Sequence, residues 1–358
     1  MTSLKVNETI LVTGGAGFIG SNFVINWLNQ SLGKVVNLDL LTYAGNENNL
    51  ASLVNNKDHI FVKGNIADDK LVSALMLEYK PRAIINFAAE SHVDRSIENP
   101  GEFITTNING TYNLLECARK YWLSLTQEKK NHFRFLHVST DEVYGSLEMN
   151  DPAFTEISPY QPNSPYSASK AASDHLVRAW YHTYYLPVLI TNCSNNYGQF
   201  QHPEKLIPLT ILNALEGKTL PIYGDGKNIR DWLHVDDHCS AIREILNKGK
   251  IGECYNIGSN NERTNVKVVE TICSILDKLI PSSTINSYKD LIRFVKDRAG
   301  HDRRYAIDAR KIYKDIGWTA AIPFEQGIEK TIEWYLANRS WLDKIKARRA
   351  NNNTENHP

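Results

Sequence analysis

Short apolar, β-branched runs alternate with helix-length amphipathic stretches through the first half of the chain. The runs are Thr9 to Val12, Val35 to Leu40, Ile60 to Val62, Ala83 to Phe87, Phe135 to Ser139 and Val188 to Thr191. Between them, Phe18 to Asn29, Asp68 to Tyr79, Gly101 to Trp122 and Tyr166 to Tyr185 are long enough to be crossover helices. Parallel strands need such crossovers, and helices on both faces bury the sheet. The rhythm therefore predicts an α/β protein built on a doubly wound parallel sheet. Function is then expected at the carboxyl ends of the strands, around a switch in strand order.

After Asn195 the elements shorten, with Pro203, Pro208 and Pro221 and a hairpin turn expected at Gly224-Asp225-Gly226. Helices are expected over Val235 to Asn247 and Val266 to Leu279, while Pro281 to Arg298 has no clear period. With 358 residues, about two domains are expected. They are residues 1–195, a smaller mixed α/β lobe at 196–345, with part of the later chain returning to the first, and a polar flexible tail at 346–358. Lys plus Arg and Asp plus Glu are each 40, so no global field draws in nucleic acid or an anionic membrane. No apolar run approaches the ~18 residues of a membrane span, and residues 1–8 lack the apolar stretch of a signal peptide, so a cytoplasmic protein is expected. Five scattered cysteines without C-x-x-C indicate buried thiols rather than disulfides or a zinc site.

The first strand runs into Thr13-Gly-Gly-Ala-Gly-Phe-Ile-Gly20 where a helix should open. Gly14, Gly17 and Gly20, without Cβ atoms, allow a tight turn and let backbone N–H groups reach a pyrophosphate at the helix N-terminus. Asp39 follows at the end of the second strand, where a carboxylate accepts hydrogen bonds from ribose hydroxyls and repels a 2′-phosphate. Either feature alone has a bland reading, a chance turn or a capping aspartate. Together they predict a Rossmann-like NAD site, with Asn65, Ile66, Phe87, Ala88 and Ala89 along the adenine and the dinucleotide bridge.

Tyr166-Ser-Ala-Ser-Lys170 places a phenol and an ammonium on one helix face. A tyrosine of pKa about 10 is a poor base at neutral pH, and a nearby cation stabilises its phenolate. The pair suits removal of a hydroxyl proton.

The glycine turn, Asp39, Thr140 and Tyr-x-x-x-Lys together resemble the extended short-chain dehydrogenase/reductase superfamily. Within it, Ala88-Ala-Glu-Ser-His-Val-Asp-Arg-Ser96, Ser139-Thr-Asp-Glu-Val-Tyr-Gly145, Thr191-Asn-Cys-Ser-Asn-Asn-Tyr-Gly198 and Arg230-Asp-Trp-Leu-His-Val-Asp-Asp-His238 resemble the dTDP-glucose 4,6-dehydratase family. The resemblance runs from about residue 8 to 340 and implies a tightly bound NAD, dTDP-glucose as substrate and a homodimer formed through the helices near 101–122 and 166–185. It implies catalytic roles for Thr140, Asp141, Glu142, Tyr166 and Lys170. Cofactor contacts are implied for Phe18, Ile19, Leu40, Leu41, Thr42, Thr106 and Asn196 besides the residues above. Substrate contacts are implied for Ser91, Thr140, Asn195, Lys205, Leu206, Pro221, Ile222, Arg230, Asn265, Arg298 and His301. Tyr223 could stack on a pyrimidine or be a core tyrosine.

Asp141 and Glu142 follow Thr140 directly. Two carboxyl groups in one desolvated site do not both ionise easily, so one can serve as acid and the other as base, the division that elimination of water needs. The resemblance implies oxidation at C4, removal of the C5 proton by Glu142, protonation of the leaving C6 hydroxyl by Asp141, and hydride return to C6. Arg230 offers a planar fork to a diphosphate. His234 and His238 are four apart, but no third ligand is evident and no metal is expected. The competing readings are a UDP-sugar epimerase or decarboxylase of the same superfamily, against which Asp141-Glu142 argues, and a non-catalytic dinucleotide sensor. Two departures from the family pattern are Asn65, where Asp is frequent, and Ala299, where Pro is frequent.

Overall fold

The computed structural model describes residues 8–297 and 301–345. Its strands are β1 (Ile10–Thr13), β2 (Val35–Asp39), β3 (His59–Lys63), β4 (Ala83–Asn86), β5 (Arg134–Thr140), β6 (Val188–Cys193), β7 (Asn195–Tyr197), β8 (Leu220–Tyr223), β9 (Ile229–His234), β10 (Cys254–Ile257), β11 (Glu262–Thr264) and β12 (Ile292–Val295). Seven form one sheet in the order β10-β6-β5-β4-β1-β2-β3, and every pair is parallel. The chain winds outward from β1 to β3 and then returns to lay β4 on the other side of β1. Crossovers leave β1 and β4 in opposite directions, which opens a crevice at their carboxyl ends.

Strand residues alternate between two cores, as a pleated sheet requires. Ile10, Val12, Ile85, Leu136 and Leu189 pack under the Phe18–Asn29 and Val235–Lys248 helices. Leu11, Val36, Ile84, Phe135 and Val188 face the other way, under the Asp69–Tyr79, Thr111–Ser124 and Pro165–Tyr184 helices. The helix starts follow from local chemistry. Asp68 accepts from the backbone N–H groups of Lys70 and Leu71. Ser164 and Ser167 cap each other's backbone, with Pro165 at the first helical position. The helix expected over Gly101 to Trp122 is a composite: a helical turn at Pro100–Phe103, a π-helical stretch at Ile104–Gly110, and an α-helix from Thr111 to Ser124.

A further core gathers Ile207, Ile211, Leu220, Ile222, Val268, Ile272, Phe324 and Ile332, beside the small sheets β11-β9-β7 and β12-β8. The expected hairpin at Gly224-Asp225-Gly226 is not formed. Both glycines turn the chain in left-handed conformations, with φ of +59° and +70°, but β8 pairs in parallel with β12 and β9 pairs with β7 and β11. The partner of β8 is the Ile292–Val295 run, a distant edge that local turn chemistry cannot announce. The chain also crosses back: β10 joins the large sheet beside β6.

Tyr144 ties this returning strand to the end of β5. Its hydroxyl donates to Asn256 Oδ1 at 2.9 Å, and its ring stacks on Phe154 at 5.2 Å. Tyr144→Phe leaves that buried carbonyl unpaired and should cost about 1–3 kcal/mol, read as a lower urea midpoint at unchanged m-value.

Candidate active site

The β1–β4 crevice holds a cavity of about 510 Å³, within the ~300–1,000 Å³ of small-molecule and cofactor sites. Its floor is the glycine turn. Gly14 has φ +71°, and a Cβ there would stand 2.6 Å from the Ala88 backbone nitrogen. A Cβ on Gly20 would stand 2.2 Å from the Gly14 carbonyl. Only glycine lets the turn lie this close to the end of β4 while its helix opens toward the cavity. Asp39, ending β2, accepts from Ala16 N at 2.8 Å and from Leu41 N at 2.7 Å. Leu41 takes a left-handed φ of +59° to do so, strain of the kind found at ligand sites. Gly14, Gly17, Phe18, Ile19, Gly20, Asp39, Leu40, Thr42, Asn65, Ile66, Phe87, Ala88 and Ala89 all line the cavity. A bare backbone turn at a helix N-terminus, flanked by an acceptor carboxylate, fits a dinucleotide.

The π-helical stretch brings Thr106 into the same wall. It also turns Asn107 inward, where the side chain accepts from Glu90 N at 2.9 Å, donates to Glu90 O at 3.0 Å and donates to Ser169 Oγ at 2.8 Å. One amide thus fastens the loop after β4 to the helix carrying Tyr166 and Lys170. Such π-turns are frequent at functional sites.

Thr140, Asp141, Glu142, Tyr166 and Lys170 meet at the far end of the cavity. Thr140 caps a short helical turn, accepting from Glu142 N at 3.3 Å, and its hydroxyl faces Asp141 Oδ1 at 3.4 Å. Asp141 is 2% exposed, and its Oδ2 has no hydrogen-bond partner among the described residues. Burial, reinforced by the charges of Glu142 and Asp231, holds its carboxyl well above the usual range. A carboxyl group shifted in this direction is suited to serve as a proton donor.

The tyrosine–lysine pair differs from the expectation that Lys170 depresses the phenol. Burial first, and then Glu142, push Tyr166 well above 10. Lys170 aims its ammonium under the sheet end instead, donating to Val138 O at 2.8 Å and standing 3.4 Å from His137 Nε2. Burial also lowers the pKa of Lys170, against the opposing pull of Asp174. Asp174 takes hydrogen bonds from Ser139, Tyr160 and Asn192 at 2.8, 3.0 and 3.3 Å, yet burial still raises it to about 6.

Ser91, Asn195, Asn196 and Lys205 also line the cavity. Asn196 Oδ1 meets His238 Nδ1 at 2.9 Å, which gives that histidine a structural partner. Leu206, Pro221, Ile222, Tyr223, Arg230, Asn265 and His301 lie outside the lining. Ile222 is buried in the core around β8, whereas Tyr223 is 45% exposed, which removes the core reading for it. Arg230 is buried over the Tyr305 ring at 4.2 Å, with its guanidinium on the carbonyls of Ile229 and Asp302. His301 pairs with Asp297 at 2.7 Å. Arg298, Ala299 and the tail at 346–358 fall outside the described residues.

Sequence reasoning missed Tyr43, Glu90, Arg95, Asn46, Asn49, Glu204 and Trp341, all in the lining. The Arg95 guanidinium lies 3.8 Å over the Tyr43 ring, joining loops 52 residues apart. Arg95 stands inside a quoted motif, but Trp341 carries no local signal, since its approach depends wholly on the fold.

Cradle, acceptor carboxylate and Tyr–Lys pair define the class of the extended short-chain dehydrogenase/reductases. The family model for GDP-mannose 4,6 dehydratase matches residues 11–331. A dTDP-glucose 4,6-dehydratase of Xanthomonas campestris pv. campestris is 60% identical over 337 residues, covering 94% of this chain and 95% of the relative. Among solved structures, the dTDP-glucose 4,6-dehydratase of Bacillus anthracis in complex with NAD is 49% identical, with a TM-score of 0.83 over 94% of this chain and 99% of that one. The enzyme of that name from Streptomyces venezuelae, with NAD and TYD bound, is 45% identical, with a TM-score of 0.84 over the same shares. The chain belongs to the dTDP-glucose 4,6-dehydratase family.

Two outcomes follow from the geometry. Gly14→Ala should cost about 1–3 kcal/mol and weaken dinucleotide binding, checked by thermal melts and by calorimetry with NAD. Asp174 is raised from 3.8 to about 6, so between those values the folded chain holds a proton that the unfolded chain has released. Its contribution to stability is full below pH 4 and is lost as the pH rises through about 6. In Asp174→Asn this slope should flatten in urea titrations run at successive pH values.

Proposed function

We propose that the chain is an NAD-dependent hydro-lyase that converts dTDP-D-glucose to dTDP-4-keto-6-deoxy-D-glucose and water. The observation that carries this reading is the buried Asp141, its carboxyl shifted upward by burial and by Glu142 beside it, against Thr140 and Tyr166 in a cavity that fits a dinucleotide. A simple C4 epimerase needs the cradle and the tyrosine but not this pair.

NAD, when bound, takes a hydride from the sugar and returns it within one turnover. The chain's own groups move protons. Tyr166, assisted by the Thr140 hydroxyl, takes the proton of the C4 hydroxyl as a phenolate, which the positive charges of Lys170 and of a bound oxidised nicotinamide would stabilise against the burial that otherwise holds its phenol up. The ketone at C4 acidifies C5–H, and Glu142 removes that proton. Asp141 delivers its proton to the C6 oxygen, which departs as water. Glu142 then returns a proton to C5 on the product side. Lys170 supplies positive charge from beneath Tyr166, and the cavity wall excludes bulk water. Gly14, Gly17, Gly20 and Asp39 hold the dinucleotide, with Asn65 and Ile66 at its adenine end. Ser91, Asn195 and Lys205 reach the sugar diphosphate. Arg230 acts from behind the wall, where it moderates the Asp141 carboxyl.

Homodimerisation through the composite helix at 100–124 and the Pro165–Tyr184 helix is supported by their outer faces. Ile104 is 47% exposed and Tyr112 50%, and Tyr112 packs edge-on against Trp180 at 5.8 Å. These apolar groups are covered in a dimer. No helix among the described residues is long and apolar enough to cross a membrane, in keeping with a cytoplasmic enzyme.

Mass spectrometry of nucleotide sugars after incubation with equimolar dTDP-glucose and UDP-glucose tests the reaction: loss of one water from the dTDP-sugar is expected, and no change in either sugar sinks it. Asp141→Asn should slow elimination by about 10²-fold or more while NAD titrates as in the parent; unchanged turnover would remove the acid role. Light scattering should give twice the chain mass, and Tyr112→Asp should shift it toward monomer.

A further inference from the structure

The helix Phe324–Ala337 ends at Asn338, and a helical segment over residues 339–345 follows and borders the cavity. Trp341, Leu342 and Ile345 are 7%, 5% and 7% exposed. Trp341 and Ile345 are themselves part of the cavity wall, beside Asn46 and Phe200. Trp341 thereby joins two segments that line the cavity, the one after β2 at Asn49 and the one after β7 at Phe200.

On one lip, Trp341 Nε1 donates to Asn49 Oδ1 at 2.8 Å, and Asn49 Nδ2 donates to the Ala16 carbonyl at 2.9 Å. Ala16 is the middle of the glycine turn, and its own N–H is held by Asp39. A continuous hydrogen-bonded path thus runs from this segment through Asn49 to the cradle and the ribose-facing carboxylate. Lys344 adds a second tie, donating to Asn48 Oδ1 at 3.0 Å. On the other lip, the Trp341 ring packs against Phe200 at 6.1 Å and Trp334 at 5.0 Å. Phe200 sits in a left-handed conformation with φ +65°, which that packing stabilises.

We propose that the 338–345 segment is a latch that sets how long NAD stays on the protein, with Trp341 as its bolt. This rests on the reading that the cavity holds NAD as a cofactor regenerated in every turnover. Such a cofactor needs no rapid exchange, and a side chain that joins both lips slows escape without touching the reacting atoms. Opening must break the Trp341–Asn49 bond inside a buried setting and leave the Asn49 carbonyl unpaired, so it is rare. The coupling is reciprocal: a latch that retains NAD is itself held shut by NAD.

The test is dissociation of labelled NAD from the purified protein into excess unlabelled NAD. Trp341→Phe keeps an aromatic six-membered ring and removes the N–H donor together with the fused five-membered ring that carries it. It should raise the dissociation rate about tenfold while retaining the parent's circular dichroism. An unchanged rate in the folded variant overturns the latch and leaves the dehydratase reading intact. Protein that takes up no NAD at all overturns both. Hydrogen exchange on the unaltered chain keeps the proposal open to refutation should the variant not fold. Amides of residues 339–345 and 46–50 should exchange more slowly with NAD than after its removal, and exchange indifferent to NAD overturns the latch.

Discussion

The close passage of Gly14 against the end of β4 is the constraint on which the rest is arranged. At φ +71° and with no room for a Cβ beside Ala88, the turn after β1 seats itself where the strand order reverses. That seating points the first helix at the crevice and brings Ala16 within reach of Asp39. The tips of β5 and β6 bring Thr140 and Cys193 to the same space. A side chain at Gly14 would push the turn off β4 and widen the crevice for every group that borders it.

Burial, more than pairing, sets the chemistry of this space. Asp141 holds its proton more tightly than an exposed aspartate because it is buried and Glu142 is its neighbour. The same desolvation drives Tyr166 up and Lys170 down, so burial disfavours the charged form of each. Asp174, His137 and the Val138 carbonyl stand under Lys170 as its polar floor. A site arranged in this way responds strongly to any charge brought into it, because the surrounding medium screens little.

Much of this was legible in the chain. Short apolar, β-branched runs separated by helix-length stretches gave away the parallel sheet, since strands buried on both faces read as near-continuous apolar runs. Glycines after the first strand and an aspartate after the second marked the cradle. Tyr166 and Lys170, four apart, marked one helix face. The Gly224–Gly226 turn misled because a turn's local chemistry says that the chain reverses, not which strand will be its neighbour. The π-helical stretch was hidden for a related reason: its extra residue is accommodated by Asn107 bonding to Glu90 and Ser169, partners that sequence spacing does not reveal.

What the sequence determined by itself is whatever depends on neighbours along the chain: alternation of strands and helices, the glycine turn, the caps at Asp68 and Ser164, and the adjacency of Asp141 with Glu142. Tertiary structure alone decided which distant segments share a wall. It brought Arg95 onto Tyr43, placed β12 beside β8, returned β10 to the main sheet, and laid Trp341 on Asn49 across nearly the whole length of the chain. It also raised the proton affinity of Asp141, because a carboxyl group's hold on its proton depends on the water and charge around it. Those surroundings exist only once the chain has folded.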